Sequence, residues 1–117
     1  MKTLYFILFI SFILGCNSSS KILGERLIYD VAFAEWQGKS MGAKVEVLIR
    51  GDSIFVRSYH GLSLEKGELI DSGILIKHKS GKWIIAQSVN DKYADEIGGC
   101  SDGPSVIDLE NKKYWLC

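Results

Sequence analysis

The chain predicts an all-β fold, a small antiparallel meander of about seven strands forming a barrel or half-barrel, or a two-sheet sandwich. Three observations predict it. Apolar residues alternate with period two from Glu25 to the end, no sustained helical periodicity occurs in that span, and the single proline, Pro104, falls at the expected start of a strand. Bundles and parallel α/β folds are thereby excluded. Sequential hairpins favour the barrel or half-barrel, because strands adjacent in sequence tend to pair and a flat sheet leaves unpaired edges.

The first strand, about Glu25 to Trp36, places Leu27, Tyr29, Val31 and Phe33 on a core face, with Ile28, Asp30, Ala32 and Ala34 on the other. Gln37 to Gly42 reads as a flexible polar connection. A hairpin follows, with Gly51 and Asp52 as its two-residue turn. That turn opposes Ile49 to Ile54 and Val47 to Val56 on one face, and Leu48 to Phe55 and Glu46 to Arg57 on the other. A one-residue slip would break all four matches.

Tyr59 to Gly67 breaks the alternation and reads as a loop containing His60. A strand from Glu68 to Lys79 follows, with a bulge or bend expected at Gly73. Ser80 and Gly81 then turn the chain, opposing His78 to Trp83, Ile76 to Ile85 and Ile74 to Gln87, with Lys77, Lys79, Lys82 and Ile84 on the reverse face. Asn90 can cap a short helix near 91 to 97 that Gly98 and Gly99 end. A glycine-rich loop leads to the last hairpin, Ser105 to Leu109 with Lys113 to Cys117. Its register is open, since Asp108 or Glu110 can oppose Lys113 with opposite charge.

Ahead of the β region, one basic residue (Lys2) precedes an apolar run from Leu4 to Leu14, too short to span a bilayer as a helix. The run ends in Ile13, Leu14, Gly15 and Cys16, which resembles the lipobox of bacterial lipoproteins; Leu14 is bulkier than the residue usual at its place. The resemblance covers residues 1 to 16. It implies cleavage before Cys16, a diacylglycerol on its thiol, and an amino-terminal acylation. The domains then read as a signal peptide (1 to 15), a polar tether (16 to 24) carrying Asn17, Ser18, Ser19 and Ser20, and one β domain (25 to 117). The membrane, reached through the lipid, is the first partner, and the address is the bacterial cell envelope. Asn17 is not the aspartate that holds Gram-negative lipoproteins at the inner membrane in the best-known sorting rule, which favours the outer one.

Removing residues 1 to 15 takes away Lys2 and no acid, leaving 13 basic against 14 acidic residues, a net charge of −1. With no basic stripe either, nucleic acid is not expected as a partner. With Cys16 committed to lipid, Cys100 and Cys117 remain as an even pair in an oxidising compartment and read as a disulfide.

The candidate functional residues are sparse. His60 and His78 lack the spacing of a paired metal site, so no metal and no cofactor is expected. Cys100 as a thiol nucleophile would want a histidine base, but the disulfide claims it. No nucleophile, base and oxyanion arrangement can be assembled, so no catalytic residue is assigned. Asp91, Asp95, Glu96 and Asp102 form an acidic stretch, a candidate interaction loop whose spacing does not match a calcium loop. Ser80 and Lys82 mark a candidate hairpin tip. With Gly81 between them they resemble the membrane-bound inhibitors of c-type lysozyme in size, fold and address, although Trp83 comes too early for that family's aromatic and no cysteine lies early in the domain.

The leading expectation is a lipid-anchored, non-enzymatic binding module with a protein or cell-wall partner. The alternatives are a carrier whose barrel holds a small apolar ligand among Tyr29, Phe33, Ile76, Trp83 and Ile85, and an inhibitor of an envelope-attacking enzyme such as lysozyme.

Overall fold

A computed structural model describes residues 26–117, which form a closed seven-stranded barrel. The signal, Cys16 and the tether lie outside the described residues. The strands are β1 (Arg26–Phe33), β2 (Lys44–Arg50), β3 (Ser53–His60), β4 (Leu69–Lys77), β5 (Trp83–Ala86), β6 (Ser105–Asp108) and β7 (Lys113–Leu116). Successive strands pair antiparallel. An odd number of alternating strands leaves the first and last pointing the same way, so β1 closes on β7 in parallel, with Val31 beside Tyr114 and Phe33 beside Leu116. Closure removes the free edges that an open meander would expose.

The alternation predicted for β1 holds. Tyr29 and Val31 are buried inside with Val45, Val47, Ile54, Val56, Ile85, Ile107 and Tyr114, and Leu27 and Phe33 pack against them. The hairpin at Gly51 and Asp52 has the predicted register at all four pairs. Gly51 takes φ 58°, the left-handed conformation that a two-residue turn with glycine first requires.

Other expectations are corrected. Strand β3 runs on through Tyr59 and His60, so the loop begins at Gly61. The bulge in β4 lies at Ile70, where the register against β3 skips from Asp71 opposite Val56 to Leu69 opposite Arg57, and not at Gly73. Gly73 serves close approach instead, because a Cβ there would collide with the carbonyl oxygen of Ala86. The β4–β5 hairpin is slipped by one residue from the expected pairing. Lys77 opposes Trp83, Ile76 opposes Ile84 and Leu75 opposes Ile85. Five residues, 78 to 82, make the turn, closed by a hydrogen bond from the His78 amide to the Lys82 carbonyl (2.8 Å).

That slip sends Leu75, Trp83 and Ile85 inward and Ile74, Ile76, Ile84 and Ala86 outward, into a second apolar cluster completed by Val106, Ile97 and Trp115. An outward apolar face must be covered, and the 87–104 connection covers it. The short helix expected near 91 to 97 is not formed; the segment holds only a 3-10 turn, Val89–Tyr93. The carbonyls that would continue a helix are already taken. Lys92 accepts from the Lys79 amide (2.9 Å) and Ala94 from a ring nitrogen of His78 (2.7 Å). The Gly98 amide turns away to the Pro104 carbonyl (2.8 Å).

In the last hairpin Asp108 opposes Lys113, which settles the open register. Lys113 also neighbours Asp30, and Asp30 neighbours Lys44, whose Nζ lies 2.7 Å from its carboxylate. Charges thus alternate in sign across β6, β7, β1 and β2, and pairs of this kind help to fix register.

A candidate binding cleft on the outer flank

Five of the six connections split between the two barrel ends. The chain enters at Arg26 on the same end as the turns at 51–52, 78–82 and 109–112; the opposite end carries 34–43 and 61–68. A cleft of about 540 Å³ runs along the outer flank of β5, β6 and β7 between them. Val106 and Trp115 belong to its middle, Ala34 and Gly99 to one end, and Lys82 and Glu110 to the other. Its lining mixes apolar surface with cations and carboxylates, as binding sites do.

The strap formed by residues 87–104 makes one wall. Its end is held by the Cys100–Cys117 disulfide (Cα–Cα 4.6 Å), the pairing expected from the cysteine count. It comes close to the sheet at Gly98, which has φ 64° and lies so near Val106 that an added Cβ would stand 2.6 Å from a methyl carbon. Only glycine satisfies both demands. Ser101 Oγ donates to the Gly98 carbonyl (2.7 Å) and fixes the loop that reaches Cys100. Gly98 therefore gives close packing in the glycine-rich loop.

The candidate interaction loop does not act as one unit. The Asp91 carboxylate accepts the Gln87 amide (2.8 Å) and the Ser88 amide (3.4 Å), so it holds the start of the strap. Asp95 is fully exposed, with Lys79 Nζ 3.9 Å away, and Glu96 and Asp102 are exposed. At the 78–82 turn, Ser80 Oγ lies 2.9 Å from His78 Nδ1, and the Ser80 amide donates to the same nitrogen (3.1 Å). His78 Nε2 faces the Ala94 carbonyl, which can only accept, so Nε2 carries the proton and Nδ1 accepts. This buried histidine ties the turn to the strap. Lys82, from the same turn, lines the cleft.

The side chains expected to line a cavity inside the barrel have other places. Tyr29 and Ile85 are buried core, Phe33 packs against that core, Trp83 packs against it and also lines the cleft, and Ile76 points outward beneath the strap. Inside the barrel Tyr114 donates its hydroxyl to Asp71 (2.9 Å). Burial first, and then the Asp71 charge, push the Tyr114 hydroxyl far above its ordinary range. Burial, with the Asp108 charge second, also raises Tyr29. Asp108 is held below the usual carboxylate range, mainly by the Asn111 amide and side chain, with the Glu110 amide and Lys113 adding to it.

Glu35, Cys100 and Cys117 place ligand-type atoms within 4.8 Å of one another. The disulfide takes both sulfurs out of the thiolate form that binds metal. Sequence reasoning missed Trp115, Asp108, Ile97 and Ala34 as cleft residues. One signal was present: with Tyr114 inward, period two forces Trp115 outward, and a large aromatic on an outer face marks either a cover or a site. Compared with protein-family models, curated proteins and solved structures, the chain matches none of them.

Proposed function

We propose that this chain is a lipid-anchored binding module of the cell envelope, without catalytic activity, that meets a protein or cell-wall partner through the cleft flanked by Trp115, Val106 and the strap. The observation that carries the reading is the cleft itself, about 540 Å³ on a flank whose far wall is fixed by a disulfide. A rigid wall lowers the ordering cost of binding. The groups best suited to chemistry have structural work. Both His78 nitrogens are engaged, Tyr114 is bonded to Asp71, and the cysteines are joined. The disulfide supports an oxidising compartment, and the lipobox-like residues support attachment to a membrane there through Cys16.

The test is site-specific photo-crosslinking in intact cells. A photoreactive residue at Glu110 or Lys82, both lining the cleft, should give one discrete adduct that the same residue at exposed Lys66 does not. Equal labelling from all three positions, or none from the cleft, would remove the cleft from this reading.

A further inference from the structure

All three arginines of the chain, Arg26, Arg50 and Arg57, line one shallow pocket of about 310 Å³ with Glu46, Leu48 and Phe55. They come from three strands, and the register explains the convergence. Arg26 opposes Leu48, Leu48 opposes Phe55, and Glu46 opposes Arg57, all on the outward face of β1, β2 and β3. Among the described residues that line it, three guanidinium groups against one carboxylate leave a local excess of positive charge on a domain whose net charge is close to zero. Glu46 does not cancel it. Its carboxylate lies 3.5 Å from Arg26, while Arg57 donates to the Gly67 carbonyl (3.1 Å), and both arginines keep further donors facing solvent.

We propose that this arginine face binds the anionic headgroups of the bilayer in which the protein is anchored. The inference rests on the lipidation of Cys16. Position on the chain argues for this occupant. Arg26 is both a pocket residue and the first residue of β1, so the tether from Cys16 joins the barrel at the arginine face. Nine residues separate Cys16 from Arg26. Such a linker spans roughly 17 Å as a flexible coil, and about 35 Å at full extension. That reach lets the guanidinium groups meet the headgroups around the lipid. Arginine suits the ligand, because its planar fork pairs two N–H groups with two phosphate oxygens. Leu48 and Phe55 supply apolar surface beside the charges, as an interfacial contact would use. Bound in this way, the barrel lies with β1 to β3 toward the membrane, and the cleft on β5 to β7 faces away from it.

The experiment uses the mature lipidated protein held in non-ionic detergent micelles, doped stepwise with phosphatidylglycerol or with phosphatidylcholine, and read by backbone amide resonances. Phosphatidylglycerol should shift the amides of Arg26, Leu48, Arg50, Phe55 and Arg57 saturably, and phosphatidylcholine should not. Arg50→Gln and Arg57→Gln should each raise the half-saturating lipid fraction about fivefold, and added salt should weaken the response. Unchanged core amides will show that these variants fold. Equal responses to the two lipids, or shifts confined to the cleft, would overturn the proposal. So would the same saturable shifts with inorganic phosphate at matched concentration, which would mark a free-anion site. Protein eluting free of micelles before any doping would overturn the anchor itself, and the bilayer as source with it. Protein held in micelles but indifferent to phosphatidylglycerol would overturn only the arginine face.

Discussion

The hydroxyl of Tyr114 sits inside the barrel with a carboxylate as its acceptor, and this pair makes the fold sensitive to alkali. Its folded pKa is raised from an ordinary 10.0 by burial and by Asp71. The contribution is fully present below about pH 10 and is lost as pH rises toward the raised folded value, because the unfolded tyrosine then ionises first. Melting temperature should fall between pH 10 and 12, and Tyr114→Phe should flatten that limb while costing about 1 to 2 kcal/mol at pH 8. An alkaline limb as steep in the variant as in the parent would assign the effect to other groups. Asp108 has the opposite sign: its depressed pKa gives a contribution that is present above about pH 4 and lost in acid. Glu46 shows what a register can and cannot say. Arg57 is its cross-strand partner as expected, but the nearer guanidinium belongs to Arg26, on the strand at its other side. A double-mutant cycle on Arg26 and Glu46 should yield a coupling of about 0.2 to 1 kcal/mol, larger than that of Glu46 with Arg57.

At the level of elements, legibility in the sequence depended on whether the two faces of a strand differ. The β2–β3 hairpin was readable because a slip would have set Glu46 and Arg57 among apolar side chains, and a glycine stood where the turn needs one. The β4–β5 hairpin was not, because Ile74, Leu75, Ile76, Ile84 and Ile85 are apolar on both faces and a one-residue slip leaves apolar opposite apolar. Its second buried face exists only because the strap lies over it, and a strap held by side chains 16 or 17 residues distant has no local signature. The cleft was illegible for the same reason, since Ala34, Lys82, Ile97 and Trp115 meet only in the folded chain. The disulfide was legible from cysteine arithmetic. Replacing Cys100 and Cys117 by serine releases a loop whose closure is worth about 3 kcal/mol in the chain-entropy account. Chemical denaturation should show that loss, and hydrogen exchange should rise first at residues 97 to 104. Uniform exchange across the barrel instead would mean that the strap is held by His78 and the second cluster alone.

As a whole, the described residues form a barrel with two differently furnished flanks. The charged flank, β1 to β3, needs no cover, while the apolar flank, β4 to β7, is roofed by the strap and left open only along the cleft. Arg26, the first described residue, lies on the charged flank, so an attachment ahead of it begins beside that flank. The proposed attachment is the lipid on Cys16, motivated by the apolar run that ends in Leu14, Gly15 and Cys16. One acyl chain alone binds a membrane marginally, so stable anchoring calls for the several chains that a diacylglycerol and an added acyl group supply. Among the described residues no helix is long and apolar enough to cross a membrane. Cys16→Ser should therefore move the protein from the detergent phase to the aqueous phase on partitioning, and mild washing should release it from membranes. Melting of the barrel should be unchanged, since Cys16 lies ahead of every strand. A variant that stayed in the detergent phase would show the apolar run of residues 4 to 14 to be the anchor, retained rather than cleaved.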